Sequence, residues 1–174
     1  MSSAPSGSLR SGKGTDLLRV AILIPSDRSA SGERPDGTGP ALEAAARKLP
    51  AELVAREVVP DEREVISKKL VRFCDELGVD VVLVAGGTGL GPRDVTPEAT
   101  REVIDREVPG IAEAIRARSL AVTPHAMLSR AVAGVRGRTL IVNLPGSPRG
   151  AVESLGFVAE ALPHAVDIIR GGTD

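Results

Sequence analysis

The sequence contains no tryptophan and no tyrosine, and Phe73 and Phe157 are its only aromatic residues. Proteins that grip single-stranded nucleic acid stack bases on aromatic rings along a basic groove. With two rings and a formal net charge of -1, this chain has neither the platforms nor the field, which argues against a nucleic-acid partner. Cysteine is scarcer still. The lone Cys74 excludes an internal disulfide framework and any multi-cysteine metal site. Ile66, Leu70, Phe73 and Leu77 recur at helical spacing and Cys74 borders that stripe, so the thiol reads as buried and inert. No apolar run approaches the ~20 residues that a bilayer-crossing helix requires, and residues 1–14 lack the apolar stretch of a signal peptide. The expectation is a cytoplasmic protein without a membrane partner.

At 174 residues the chain suits one domain with a proper core. Residues 1–16, rich in Ser and Gly, carry too little apolar surface to fold and are expected to form a flexible leader to a domain over 17–174. Three short apolar runs, at 18–24, 81–85 and 140–144, have the β-branched content of strands buried on both faces of a parallel sheet. Residues 53–59 are more polar and suit a strand nearer an edge. Arg136-Gly137-Arg138 interrupts two strand-like pieces within 131–142, which predicts a hairpin and hence one antiparallel pair.

Helical patterns fill the gaps. Leu42, Ala45, Ala46 and Leu49 share a face after Gly39-Pro40, and residues 62–77 form the clearest helix, stopped by Gly78. Thr96-Pro97-Glu98 reads as a helix start in which Thr96 caps, Pro97 suits the first turn and Glu98 complements the dipole. Further helices are expected over 111–120, 151–162 and 163–169. Strands alternating with helices predict an α/β domain with helices on both faces of a mostly parallel, mixed sheet.

Each core run ends in a polar loop of small residues. Pro25-Ser26-Asp27-Arg28 follows the first, Gly86-Gly87-Thr88-Gly89-Leu90-Gly91-Pro92-Arg93-Asp94 the second, and Pro145-Gly146-Ser147-Pro148-Arg149-Gly150 the third. In an open parallel sheet the carboxyl ends lie along one edge, where ligands bind. Glycine lets backbone N–H groups approach an anion closely, and Arg93 and Arg149 add charge-assisted contacts to phosphate. One such loop is an ordinary turn; three at one edge predict a binding site.

Two glycine patterns fail on context. Residues 7–14 nearly spell a P-loop, but Gly14 stands where a magnesium-binding hydroxyl belongs and no strand precedes it. Residues 87–92 half-resemble a dinucleotide fingerprint, with Pro92 in place of the last glycine. Asp27, Asp61 and Asp94 fall at or after strand ends, where carboxylates near phosphates hold magnesium. A helix cap is the competing reading for Asp61, just ahead of Glu62. It suits Asp94 less, because Thr96 already offers the next helix a cap. His125 and His164 show no metal-ligand spacing, and His164 suits a helix surface.

Gly86-Gly87-Thr88-Gly89, then Arg93-Asp94-Val95-Thr96-Pro97-Glu98-Ala99, then Leu144-Pro145-Gly146-Ser147-Pro148 resemble the signature of the molybdopterin-binding, molybdopterin-adenylyltransferase family. Ser26-Asp27-Arg28, Pro60-Asp61-Glu62, Pro109-Gly110 and Leu128-Ser129-Arg130 extend the resemblance over residues 19–169. It implies a three-layer α/β/α sandwich, commonly trimeric, that uses Mg2+ and ATP to adenylylate the terminal phosphate of molybdopterin with release of pyrophosphate. By position, Asp61 and Asp94 resemble the two acidic residues of the active centre and would hold the magnesium. Gly86, Gly87, Thr88 and Gly89 resemble the nucleotide cradle. Ser26, Asp27, Arg93, Ser129, Pro145, Gly146, Ser147 and Pro148 would line the rest. Other proteins of molybdenum cofactor assembly are the implied partners. The resemblance also extends to members that bind molybdopterin without adenylylating it, to receptor-clustering scaffolds and to competence-damage proteins. Pro25 and the leader depart from the pattern without touching its central motifs.

Overall fold

The computed structural model describes residues 16–173; the expected leader and the near P-loop at 7–14 lie, apart from Asp16, outside the described residues. In chain order the elements are β1 (Leu18–Pro25), α1 (Asp27–Ala30), α2 (Thr38–Ala46), β2 (Ala51–Val59), α3 (Arg63–Val71), β3 (Val81–Ala85), α4 (Thr96–Val103), β4 (Arg106–Glu107), α5 (Pro109–Leu120), β5 (Ala133–Arg136), β6 (Thr139–Leu144), α6 (Pro148–Val158) and α7 (Leu162–Ile169). The six strands form one sheet in the order β2-β1-β3-β6-β5-β4. β2, β1, β3 and β6 run parallel, while β5 and β4 are antiparallel additions at the far side.

The period-two alternation of the three apolar runs divides the core. Val20, Ile22 and Ile24 of β1, Val81 and Leu83 of β3, and Leu140, Val142 and Leu144 of β6 face a cluster completed by Leu42, Ile115, Leu155 and Val166. Ala21, Leu23, Val82, Val84 and Ile141 face the other way, onto Ile66, Leu70, Phe73 and Val103. Helices α2, α5, α6 and α7 therefore cover one face and α3 and α4 the other, the three-layer arrangement. β2 is the polar strand expected at an edge, and it lies there with most residues only half-buried. The hairpin joins β5 to β6 through Gly137-Arg138; Gly137 has φ +55°, as a two-residue turn with glycine first requires.

Two expectations need correction, and one strand is unexpected. The helix expected over 62–77 is α-helical only to Val71 and continues through a wider π-type turn, Arg72–Glu76, before Gly78 at φ +58° ends it. That turn carries Phe73 and Cys74 into the core, where burial pushes the thiol up to about 11 and leaves it inert. Thr96 does not cap α4: Val95 occupies the cap position, while Thr96 is fully buried inside the helix and its hydroxyl has no partner among the described residues. β4 is two exposed polar residues, Arg106 and Glu107, too short for any periodicity to mark. Among the described residues no helix is long and apolar enough to cross a membrane.

One buried polar bridge ties the parallel and antiparallel parts together. Asn143, 1% exposed, accepts the Val132 N–H at its side-chain oxygen (3.2 Å) and donates its amide to Thr100 Oγ1 (2.9 Å) on α4. Asn143→Leu fills the space but strips both partners. The expected loss is about 2–4 kcal/mol of unfolding free energy, measured as a lower urea midpoint at unchanged slope.

Candidate active site at the carboxyl edge of the sheet

The polar loops after β1, β2, β3 and β6 leave the same edge of the sheet, as parallel strands require. They meet backbone against backbone. A Cβ on Gly86, which has φ +121°, would lie 2.5 Å from the Pro25 carbonyl oxygen, and a Cβ on Gly146 would lie 3.2 Å from the Gly86 Cα. Gly86 N–H is already committed to the Leu144 carbonyl (3.1 Å), so this glycine provides close approach between loops rather than a free anion-binding donor. Thr38 adds a fourth segment by donating its hydroxyl to the Gly146 carbonyl (2.7 Å).

Two adjoining cavities result. The first, about 570 Å³, is lined by the expected Ser26, Asp61, Gly86, Gly87, Asp94, Gly146, Ser147 and Pro148. The second, about 590 Å³, is lined by the expected Thr88, Gly89, Ser129, Pro145, Gly146 and Ser147. Gly146 and Ser147 belong to both and form the wall they share. Ser147 caps α6, accepting the Gly150 N–H (3.1 Å), so the amino end of an eleven-residue helix points at the junction. The second cavity is the more apolar, with Leu90, Val122 and Leu128 exposed along it.

Asp27 and Arg93 are brought together but line neither cavity. Arg93 donates Nε and a terminal nitrogen to the two oxygens of Asp27, both at 2.9 Å, a bidentate fork. Asp27 also exchanges backbone for side chain with Asp61: each carboxylate accepts the other's N–H at 2.9 Å. This reciprocal clasp, not helix capping, is the structural role of Asp61; the cap position of α3 is Glu62, without a side-chain bond. Arg149, expected near phosphate, is highly exposed and paired with Glu153 (2.8 Å).

The electrostatics of the two aspartates diverge. The Arg93 guanidinium, and then the Asp61 N–H, hold the Asp27 carboxyl below its usual value. Asp61 is pushed up, first by burial and then by the negative charges of Asp27 and Asp94, with Asp27's N–H and Arg93 offsetting only part of this. Asp94 sits in its own loop. Its Oδ2 accepts the Gly91 N–H (2.9 Å), and side chains at Gly89 or Gly91 would come within 2.9 Å of that oxygen. The loop thus wraps the carboxylate at the two places where glycine leaves room.

Two contributions lie outside what the sequence analysis assigned to the site. Arg34, Pro35, Asp36, Gly37 and Thr38 line the first cavity, and Asp36 initiates α2 by accepting the Thr38 (3.0 Å) and Gly39 (2.9 Å) N–H groups. An Asp two residues before a Thr-Gly-Pro helix start is the trace that could have found this loop. Arg130, within the Leu128-Ser129-Arg130 match, reaches back to the glycine loop from the segment after α5, through contacts to backbone oxygens that the motif alone does not reveal.

A family model described as a probable molybdopterin binding domain matches residues 21–164. The chain is 44% identical over 171 residues to the molybdopterin adenylyltransferase of Escherichia coli K12, spanning 90% of this chain and 87% of that one. It is 41% identical over 157 residues to the molybdopterin adenylyltransferase of Helicobacter pylori J99, spanning 88% and 89%. The crystal structure of the molybdopterin biosynthesis enzyme MoaB from Thermus thermophilus matches with a TM-score of 0.85 at 55% identity, over 89% of this chain and 98% of that one. With the fold, the ordered loops and this extent of identity in agreement, the chain belongs to the molybdopterin-binding domain family of molybdenum cofactor biosynthesis.

Proposed function

We propose that this chain is a nucleotidyltransferase that moves the adenylyl group of Mg-ATP onto the terminal phosphate of molybdopterin, releasing pyrophosphate. The proposal places it in the cytoplasm, as a homotrimer working beside other proteins of cofactor assembly. The observation that carries the reading is the pair of cavities meeting at Gly146 and Ser147, with Asp61 and Asp94 in the first. Two phosphorylated substrates, one per cavity, bring their phosphates together at that wall.

The donor set fits magnesium. Asp61 and Asp94 offer hard carboxylate oxygens, and each has one oxygen held by a backbone N–H, leaving the other uncommitted. Among the described residues no three His, Cys, Asp or Glu side chains form a complete cage. Mg2+ is commonly held by one or two carboxylates together with substrate phosphates and water, so the pair suffices. Bound there, it supplies neutralisation of the charge by which two phosphates repel one another.

The reaction forms a bond between a molybdopterin phosphate oxygen and the α-phosphorus of ATP and breaks the bond to the bridging oxygen, which departs with pyrophosphate. The attacking oxygen is already ionised, so no general base is needed. Asp61 and Asp94 orient rather than abstract a proton, and the α6 amino terminus at Ser147 faces the developing charge. Arg93, held on Asp27, neutralises the carboxylate that would otherwise repel the polyphosphate.

Asp94→Asn should reduce joint formation of pyrophosphate and adenylylated pterin at least ~100-fold, the scale of losing one electrostatic contact at a transferring phosphoryl group. Full activity in this variant, or pterin binding by the native chain without pyrophosphate release, would overturn the reading. Asp61→Asn should lose activity too, but gain stability. Burial raises the folded-state value of Asp61 above 3.8, so ionising it costs folding free energy, absent at low pH and growing as pH rises through the raised value. The variant's Tm should therefore exceed the parent's at neutral pH without ligands, and the gain should vanish toward about pH 3–4, followed by calorimetry across pH.

A further inference from the structure

We propose that Arg130 is a positioning residue that clamps the glycine loop shut around Asp94. Its backbone N–H donates to the Thr88 carbonyl (2.8 Å). Its guanidinium donates Nε to the Gly89 carbonyl (2.8 Å) and a terminal nitrogen to the Asp94 carbonyl (2.7 Å), while the other terminal nitrogen pairs with Glu98. One side chain thus holds both ends of the loop that folds over the Asp94 carboxylate, and Glu98 anchors that side chain to the first turn of α4. Residues 89–94 belong to no strand or helix, and Leu90 at the tip is 67% exposed. Among the described residues, the other bonds that hold the loop are those between Gly91 and Asp94, the Thr96 N–H to the Gly87 carbonyl at its base (3.1 Å) and the Arg93 fork on Asp27.

Arg130 lines neither substrate cavity. It borders a further cavity of about 340 Å³ together with Arg101 and Arg116. Its influence on transfer is therefore exerted through the loop and not by touching substrate. Lysine cannot replace it, because a single ammonium has no planar fork to span two carbonyls and a carboxylate at once. This inference rests on the adenylyl-transfer reading for its kinetic consequence, whereas its structural consequence stands apart from it.

The test uses the full chain with Arg130→Met, Arg130→Lys and Glu98→Gln, reading amide hydrogen exchange and steady-state kinetics in parallel. In Arg130→Met the amides of 89–94 should exchange at least about tenfold faster, while those of β3 and β6 keep their protection. Its kcat should fall at least about tenfold with the KM for ATP changed less than about threefold, because the misplaced group is the carboxylate and not the nucleotide contact. Arg130→Lys should fall between, and it carries the test if the Met variant fails to fold. Glu98→Gln should perturb the loop less than Arg130→Met, since the two carbonyl contacts remain. Unchanged loop exchange with native kcat in both Arg130 variants would overturn the clamp, as would a Glu98→Gln effect equal to that of Arg130→Met. A loosened loop in a chain whose native form shows no turnover would support the clamp and reject the adenylyl-transfer reading.

Discussion

Everything at the carboxyl edge depends on three backbones coming closer than any side chain permits. Pro25, Gly86 and Gly146 end or follow β1, β3 and β6, which are adjacent in the sheet, and their loops touch without a Cβ between them. Gly86 leaves β3 at φ +121°, which turns its Cα onto the Pro25 carbonyl, and a Cβ there or on Gly146 would press into the neighbouring backbone. Glycine relieves that crowding. The consequence is a floor made of main chain, rigidly tied to the core strands, on which Asp61, Asp94 and Ser147 are placed from three different loops. Sites built on such supported elements hold their geometry better than sites on free loops.

The charges on that floor are arranged as a compromise between stability and use. Three aspartates converge, and among the described residues only Asp27 has an arginine partner. Asp61 is left half-buried, facing two like charges, and burial together with those charges disfavours its ionised form. In the proposed reaction, a magnesium ion held by Asp61 and Asp94 would offset that repulsion. Asp80, at the opposite edge, shows the contrast. It is nearly buried yet satisfied by its own chain, accepting the Arg19 N–H (2.8 Å) and pairing with Arg170 (2.6 Å), and it has nothing left to offer a ligand.

What the sequence made legible was local in origin. The runs at 81–85 and 140–144 are strands because β-branched residues without polar alternation suit burial on two faces, and the small-residue loops after them are marked by their own composition. Long-range satisfaction was hidden. The clasp between Asp27 and Asp61 joins residues 34 positions apart, and the bonds from Arg130 to Gly89 and Asp94 cross 41 and 36, so no window contains both partners. Thr96 misled for the same reason: its residue type favours capping, but packing of α4 against the sheet buries it, and tertiary context overrides the propensity. β4 was invisible because pairing with Gly134 and Val135, not its own composition, makes it a strand.

The location of the site follows from how the strands are connected. From β1 the chain passes through α2 to β2 on one side, then through α3 back across β1 to β3 on the other. Crossovers between parallel strands keep one handedness, so two that travel in opposite directions must use opposite faces of the sheet. α2 accordingly packs with the cluster containing Ile22, and α3 with the cluster containing Leu23. Loops leaving β1 and β3 toward opposite faces must part at the carboxyl edge, and the gap between them is the first cavity. Residues on those loops therefore face that cavity by topology before any side-chain chemistry is chosen. The gap receives carboxylates from the loops after β2 and β3 and a helix amino terminus after β6, the groups on which the proposed adenylyl transfer rests.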